Sequence, residues 1–263
     1  MIPAGVSTEW QQQCSWISLA QVEQDLVLSR ALVEIYRVPA LRDNLIFRGG
    51  TALHKLILQP AARYSEDLDF VQIREAPIGQ TLDFLRSALD PWLVAPKTDI
   101  SPRGVTQIYR FESETPPVIR LRLKIEINTR EHFQAHPLHY RDFSVASRWF
   151  SGITQVPVYS VSELLGTKLR ALFQRRKGRD LFDLWHAHRS GVLIPAEVVA
   201  VFYRYMAEEK HRVSQAEFRR NLEAKMRVKA FLSDTPPLLR PGLEYSAENA
   251  FEFVNAELLS LLE

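Results

Sequence analysis

The feature that most restricts the fold is an unbroken alternation of apolar and polar residues from Ile119 to Asn128. The apolar positions are Ile119, Leu121, Leu123, Ile125 and Ile127. Successive side chains of a β-strand point to opposite faces, so this period predicts a strand with one buried face and one polar face. The polar face carries Arg120, Arg122, Lys124, Glu126 and Asn128.

Strand and helix patterns alternate only in the first part of the chain. Strands are predicted at Asn44–Phe47, Asp67–Val71, Gln107–Glu112 and Val118–Ile127, and helices at Leu19–Arg37, Thr51–Leu58 and Thr81–Trp92. From Ser160 onward the spacing of apolar residues is helical throughout. We therefore predict an α/β (α+β) fold with a mixed-sheet domain in residues 1–150 and an all-helical lobe in residues 151–263.

Composition excludes several classes of protein. Cys14 is the only cysteine, so an intramolecular disulfide or a cysteine-based zinc site is excluded. No run approaches the roughly 18–20 apolar residues that span a bilayer, and the first residues do not have the pattern of a signal peptide. We expect a cytoplasmic protein without a membrane partner. The net charge of +2 permits a polyanionic partner but does not require one.

A Gly-Gly-Thr turn separates the first predicted strand from the helix after it. Gly49 and Gly50 allow close approach of the main chain to a ligand, and free amides at the start of a helix bind anions. Thr51 is placed to cap the helix and to offer its hydroxyl to a phosphate. An ordinary turn with a capping threonine has the same pattern.

Three carboxylates are candidates for a metal site. Asp67 and Asp69 lie two apart on a predicted strand and therefore share a face. Oxygen ligands of this kind suit Mg²⁺ or Mn²⁺, although a salt-bridged pair on a solvated strand would look alike. Glu126, on the polar face of a later strand, would complete a two-metal site. Glu112 and Glu114 are alternatives for this third position.

Two runs early in the chain and one in the helical half resemble a known family. The early runs read Phe-Arg-Gly-Gly-Thr-Ala-Leu-His-Lys from Phe47 to Lys55 and Arg-Tyr-Ser-Glu-Asp-Leu-Asp-Phe from Arg63 to Phe70. The later run, Lys168–Asp183, has a lysine, an arginine-rich stretch and Arg-Asp-x-x-Asp. This order resembles the AbiEii/MenT family of nucleotidyltransferase toxins, in the DNA-polymerase-β-like superfamily. His54 departs from it, because a small hydroxyl residue is expected there.

The resemblance implies a nucleotidyltransferase core, completed by the helical lobe, that transfers a nucleotidyl group from an NTP with Mg²⁺ or Mn²⁺. The implied metal ligands are Asp67, Asp69 and Glu126. Lys168 would neutralise the triphosphate, and Asp180 would face the site as a further catalytic residue. The other implied nucleotide contacts are Gly49, Gly50, Thr51, Lys55, Arg63, Ser65 and Arg179. Arg179 and Asp183, four apart on one helix, are also spaced for a structural ion pair.

The resemblance also implies partners. The acceptor would be RNA, particularly a tRNA 3′ end, and a cognate antitoxin would control the toxin, with Ser65 as a candidate control point. Two other functions fit the residues: a nucleotidyltransferase acting on a small molecule such as an aminoglycoside or on a protein, and a non-catalytic protein that binds nucleotide or RNA.

Overall fold

The alternating segment forms a strand, Arg120–Asn128, inside a seven-stranded sheet. The computed structural model describes residues 2–3, 5–102, 104–114 and 116–263. The strands are β1 (Leu45–Arg48), β2 (Asp67–Gln72), β3 (Lys97–Ser101), β4 (Gly104–Glu112), β5 (Arg120–Asn128), β6 (His139–Ala146) and β7 (Ser151–Val158). Their order across the sheet is β3-β4-β5-β2-β1-β7-β6. The pairs β2/β5 and β1/β7 are parallel and the others antiparallel, which confirms the predicted mixed sheet.

One long helix covers the apolar face of the sheet. The helices of this part are α1 (Val6–Gln11), α2 (Leu19–Arg37), α3 (Pro39–Arg42), α4 (Gly49–Ala52) and α5 (Gly79–Leu89), and a π-helical turn, Leu53–Ile57, continues α4. The predicted bounds of α2 are confirmed. Val22, Leu26 and Val33 of α2 are fully buried, as is Phe70 of β2, because the apolar stripe of α2 packs on β2, β5 and β7.

The rest of the chain is helical, as predicted. It contains α6 (Val161–Gln174), α7 (Gly178–Arg189), α8 (Pro195–Glu208), α9 (Gln215–Met226), α10 (Lys229–Leu232) and α11 (Ala247–Phe253), with short π and 3₁₀ turns at Pro236–Leu238, Val254–Leu258 and Leu259–Leu261. The described residues from 160 to 263 include no strand of the sheet. None of the described helices is long and apolar enough to cross a bilayer.

The chain divides into two compact units, one with residues up to Phe133 and Leu138–Tyr159, the other with Gln134–Pro137 and Ser160–Glu263. The fully buried Glu163 holds the short segment in the second unit: it accepts hydrogen bonds from the amides of Ala135 (2.7 Å) and His136 (3.1 Å). It also accepts one from the Tyr205 hydroxyl (2.8 Å).

The first unit extends past residue 150, where the sequence pattern predicts the boundary. The segment from Ser151 to Val158 is β7, which pairs with both β1 and β6 and therefore belongs to the sheet. Neither β6 nor β7 is predicted from the sequence. The side chains of β6 are exposed on both faces over most of its length, so it lacks the apolar alternation by which half-buried strands are recognised.

The contact between α6 and α8 predicts an effect on stability. A Cβ added to Gly166 of α6 would lie 2.4 Å from Cγ1 of Val201 and 3.1 Å from the carbonyl oxygen of Val198. Overpacking of this kind typically costs about 1–3 kcal/mol. We expect Gly166→Ala to lower the free energy of unfolding by that amount in urea denaturation, although alanine favours helix formation.

A second glycine provides the control. A Cβ at Gly79, in the first turn of α5, would meet no atom within 4 Å, so Gly79→Ala should leave stability unchanged or raise it. Val201→Ala should recover part of the loss in the Gly166→Ala background. Equal stability of Gly166→Ala and the wild type would contradict the tight packing of α6 against α8.

Candidate active site

Two aspartates and two residues of the neighbouring strand lie in register on one face of the sheet. In the parallel pair β2/β5, Asp67 is the Cα partner of Lys124, and Asp69 is the partner of Glu126. Leu68 alternates with these residues and is fully buried, so it faces the core. The sheet therefore brings the three predicted metal-binding carboxylates onto one surface.

The three carboxylates do not converge on one point. Among the described residues, no three Asp, Glu, His or Cys side chains are grouped to hold a metal ion. The Glu126 carboxylate, 43% exposed, is instead 2.7 Å from Nζ of Lys124. The same ammonium is 3.9 Å from Oδ2 of Asp67. The structure thus pairs Glu126 with a lysine that also lies near Asp67.

Asp67 is the most perturbed acid of this surface. Its Oδ1 atom is buried and has no hydrogen-bond partner. The pKa of the carboxyl is raised from 3.8 to about 6: burial is the largest cause, Lys124 lowers the pKa, and the negative charges of Asp69, Glu66 and Glu126 raise it. A buried, unpartnered carboxylate oxygen beside a second carboxylate fits a hard divalent cation. The oxygen donors of Asp67 and Asp69 suit Mg²⁺ or Mn²⁺.

Gly49 allows the main chain to pass directly over Asp69. Its φ is +80°, in the left-handed region, and an added Cβ would lie 2.3 Å from Oδ2 of Asp69. Both the conformation and the close approach require glycine. The turn between β1 and α4 therefore packs against the second aspartate, which the sequence motif placed in the same site.

Gly50 makes room for a buried arginine. An added Cβ would lie 2.2 Å from Nη2 of Arg63, whose side chain is 1% exposed. Nη1 of Arg63 also donates to the carbonyl oxygen of Tyr64 at 3.1 Å. Arg63, predicted as a nucleotide contact, thus packs against Gly50 and exposes almost none of its surface.

Thr51 fastens the turn to the start of β2. Its hydroxyl donates to the carbonyl oxygen of Asp67 and lies 2.8 Å from the hydroxyl of Ser65. The helix begins at Gly49 and its N-cap residue is Arg48, so the prediction that Thr51 caps the helix is wrong. With 1% of its surface exposed, Thr51 holds Ser65 and Asp67 in place.

Lys55 lies on the π-helical turn and is held by α2. Its Nζ is 2.8 Å from Oδ1 of Asp25 and 2.9 Å from the hydroxyl of Ser29. Asp25 also accepts from Nε1 of Trp10 at 2.9 Å. Lys55 and Ser65 both line a cavity of about 250 Å³. The predicted nucleotide contacts Lys55, Thr51, Arg63 and Ser65 are thus neighbours.

The later motif forms a buried charge cluster in the helical unit. Nζ of Lys168 is 3.1 Å from Oδ1 of Asp180 and 2.8 Å from Oδ2 of Asp183. Both carboxylates are fully buried, and Arg175 donates to Asp180 at 2.7 and 2.8 Å. Burial raises the pKa of Asp180, but Lys168 and Arg175 outweigh it and hold the pKa below its usual range.

These contacts change two expectations. Asp180, predicted to face the site, is fully buried, and both its oxygens accept from cations; its catalytic role stays a prediction. The predicted Arg179–Asp183 pair is wrong, because Arg179 pairs with Asp234 through Nε at 3.2 Å. In an α-helix, spacing alone does not decide which partner a long side chain takes when another segment of the chain offers one.

Two cations beside the aspartates were not named as site residues from sequence. Lys124 is one; the sequence signal that would have identified it is its place on the same polar face as Glu126. Arg48 is the other: it is the Cα partner of Asp69 and its Nη1 lies 2.6 Å from Oε2 of Glu131. No sequence spacing links Arg48 to Glu131, because their contact depends on the fold.

Among the solved structures that resemble this chain, one has the same fold. MenT4, a nucleotidyltransferase toxin from Mycobacterium tuberculosis H37Rv, has a TM-score of 0.67 and 18% identity, covering 100% of this chain and 91% of that chain. An antigenic nucleotidyltransferase-like protein from Paracoccidioides brasiliensis has a TM-score of 0.43 and 15% identity, covering 79% and 96%. The CD-NTase CdnG of Bradyrhizobium diazoefficiens, solved with GTP, has a TM-score of 0.22 and 15% identity, covering 78% and 74%. The similarity to MenT4 shows a shared fold.

The family is established by sequence. No curated protein matches the chain significantly. The model of the nucleotidyl transferase AbiEii toxin of type IV toxin–antitoxin systems, however, matches residues 30–253, which include the Gly-Gly-Thr turn, the Asp-x-Asp strand and the Lys168 cluster. The chain therefore belongs to the AbiEii family of nucleotidyltransferase toxins.

Proposed function

We propose that this nucleotidyltransferase transfers an NMP group from an NTP to RNA, at the 3′ end of tRNA, with Mg²⁺ or Mn²⁺ held by Asp67 and Asp69. The observation that carries the proposal is the buried, unpartnered Oδ1 of Asp67 beside a second carboxylate on the same strand face. Retaining an acid in this environment is costly unless a cation compensates for it.

The bound metal would neutralise triphosphate charge, activate the attacking hydroxyl and stabilise the leaving pyrophosphate. The chain supplies the geometry. Asp67 and Asp69 project from one face of β2, and Gly49 leaves the space that the Asp69 carboxylate occupies. The hydrogen bond from Thr51 to the carbonyl oxygen of Asp67 keeps the Gly-Gly turn beside both carboxylates. We assign Gly49 and Gly50 to the triphosphate.

The remaining nucleotide contacts stay predictions. Lys168 is the candidate cation for the triphosphate, and Asp180 and Asp183 hold its ammonium in one orientation. Lys55, Ser65 and Arg179 are further candidates. A cytoplasmic location and control by an antitoxin are consistent with the family.

The transfer reaction is the first test. The purified protein is incubated with Mg²⁺, total bacterial tRNA and each α-³²P-labelled NTP in turn. We expect label on tRNA with the wild type and at least about a thousandfold less with Asp67→Ala/Asp69→Ala, because removing the metal ligands removes the main electrostatic stabilisation. Lys168→Met should lower kcat/KM for the NTP.

The acceptor is decided by the same assay. Label on an aminoglycoside or on protein, with none on tRNA, would contradict the RNA proposal and retain the transferase. Metal-dependent NTP binding without label on any acceptor would contradict turnover itself. Asp83→Asn is a suitable control for loss of an aspartate, because this carboxylate is 76% exposed and lies outside the site.

Toxicity provides a test in cells. We expect induced expression of the wild type to arrest bacterial growth, because tRNA altered at its 3′ end cannot be aminoacylated. Expression of Asp67→Ala to the same level should be harmless. Growth unaffected by a soluble, well-expressed wild type would contradict the toxic role and leave the in vitro reaction to be judged separately.

The burial of Asp67 predicts that its replacement by asparagine stabilises the protein, by an amount that depends on pH. Its pKa of about 6 in the folded protein exceeds 3.8, so the folded state binds the proton more tightly and stability falls as pH rises from about 4 to about 6. Above pH 6 the folded protein bears the full free-energy cost of burying the ionised carboxylate. In EDTA we expect Asp67→Asn to be more stable than the wild type by about 1–3 kcal/mol at pH 8 in urea denaturation.

The gain should shrink to less than half at pH 4.5, where the wild-type carboxyl is mostly protonated in the folded protein. Asp83→Asn should show no gain at either pH. A loss of stability in Asp67→Asn at pH 8 would mean that the attraction to Lys124 exceeds the cost of burying the charge.

A further inference from the structure

Lys124 has an unusual position for a strand lysine, because two carboxylates of the candidate site share its ammonium. Nζ lies 2.7 Å from Oε1 of Glu126 and 3.9 Å from Oδ2 of Asp67. Its side chain is 25% exposed. Lys124 is neither a proposed metal ligand nor a proposed nucleotide contact.

The strand register produces this arrangement. Asp67 is the Cα partner of Lys124 across the parallel pair, and Asp69 is the partner of Glu126 one step further along. Residues two apart on a strand share a face, so Lys124 reaches Glu126 along β5 and Asp67 across to β2. Moving Lys124 by one position would turn its side chain into the core.

The charges explain why a cation is kept there. Asp69, Glu66 and Glu126 all act on Asp67 in the unfavourable direction, whereas Lys124 is the nearby positive charge that opposes them. Like charges held this close destabilise a folded protein unless a counter-ion is present. An ammonium bound to Glu126 also keeps this carboxylate from turning toward an ion at the aspartates.

A neighbouring ion pair shows the contrast. Arg122 lies on the same face of β5, and its Nη2 is 3.3 Å from Oε1 of Glu66. That pair is 51% and 39% exposed, which is typical of a surface salt bridge of little energetic value. Lys124 is half as exposed, and its Nζ lies 3.9 Å from a carboxylate proposed to hold the metal.

We propose, on the basis of the proposed function, that the Lys124 ammonium is a permanent counter-ion of the active-site carboxylates. It holds Glu126 out of the metal's ligand set, so that Asp67 and Asp69 carry a single divalent ion. The Lys124 ammonium supplies the second positive charge that a second metal ion provides in two-metal enzymes. Glu126 is then a positioning residue for Lys124.

Mn²⁺ binding to the full chain tests this inference without relying on activity. The free Mn²⁺ signal in electron paramagnetic resonance is titrated for the wild type, Lys124→Met and the matched control Arg122→Met. We expect one ion per wild-type chain. Removing a unit charge about 4 Å from a ligand oxygen should tighten Mn²⁺ binding roughly tenfold in Lys124→Met. Arg122→Met should change the affinity by about twofold or less, because exposed charges are screened.

Glu126→Gln separates the roles of the two residues. In the wild-type background it should leave the stoichiometry at one ion. In the Lys124→Met background, where Glu126 is released, Glu126→Gln should reverse part of the gain in affinity, giving a measurable coupling between the two changes. Lys124→Met should also lose transfer rate while binding metal more tightly, and Lys124→Arg should recover part of that rate.

Several outcomes would overturn the inference. Two Mn²⁺ ions per wild-type chain, with one lost in Glu126→Gln, would make Glu126 the third ligand. Equal Mn²⁺ binding by Lys124→Met and Arg122→Met would reduce Lys124 to a surface ion pair while the transferase proposal stands. If the wild type binds no Mn²⁺, or if Asp67→Ala/Asp69→Ala binds it equally well, the proposed metal site is contradicted. This inference is then contradicted as well.

Discussion

The site depends on the parallel pairing of β2 with β5. This register places Asp67 beside Lys124 and Asp69 beside Glu126, while Leu68 between the aspartates is fully buried in the core. Alternation forces the separation: a strand that buries its apolar residues must present the intervening acids on the other face. A one-residue slip would bury both aspartates, so core packing protects the geometry of the site.

The Gly-Gly-Thr segment that follows β1 packs against the same face of β2. Gly49 has a positive φ and lies so near Asp69 that a Cβ would collide with the carboxylate, while Gly50 lies against the buried Arg63. Thr51 then joins this turn to the carbonyl oxygen of Asp67. The Gly-Gly-Thr motif is therefore a packing solution as much as a binding motif, because each of its three residues contacts the strand or loop that carries the acids.

As a rule, the buried charges near these motifs are compensated by opposite charges. Lys168, Asp180 and Asp183 are buried together, and their charges compensate each other. Lys55 and Asp25 do the same beside α2. Asp67 departs from the rule, because its Oδ1 is buried and unpartnered. Exceptions of this kind concentrate at functional sites, where a ligand supplies the missing partner.

Sequence patterns alone determined α2, the alternation of β5, the helical second half and the shared face of Asp67 and Asp69, because each depends on local periodicity. They did not predict β6, which is exposed over most of its length, or β7, in which Val156 and Val158 are buried but the apolar residues do not alternate regularly. Only the tertiary structure decided which charges meet: Lys124 with Glu126, Arg179 with Asp234, and Asp180 with Lys168 in the interior. Long side chains choose partners by three-dimensional proximity and burial, which residue spacing does not encode.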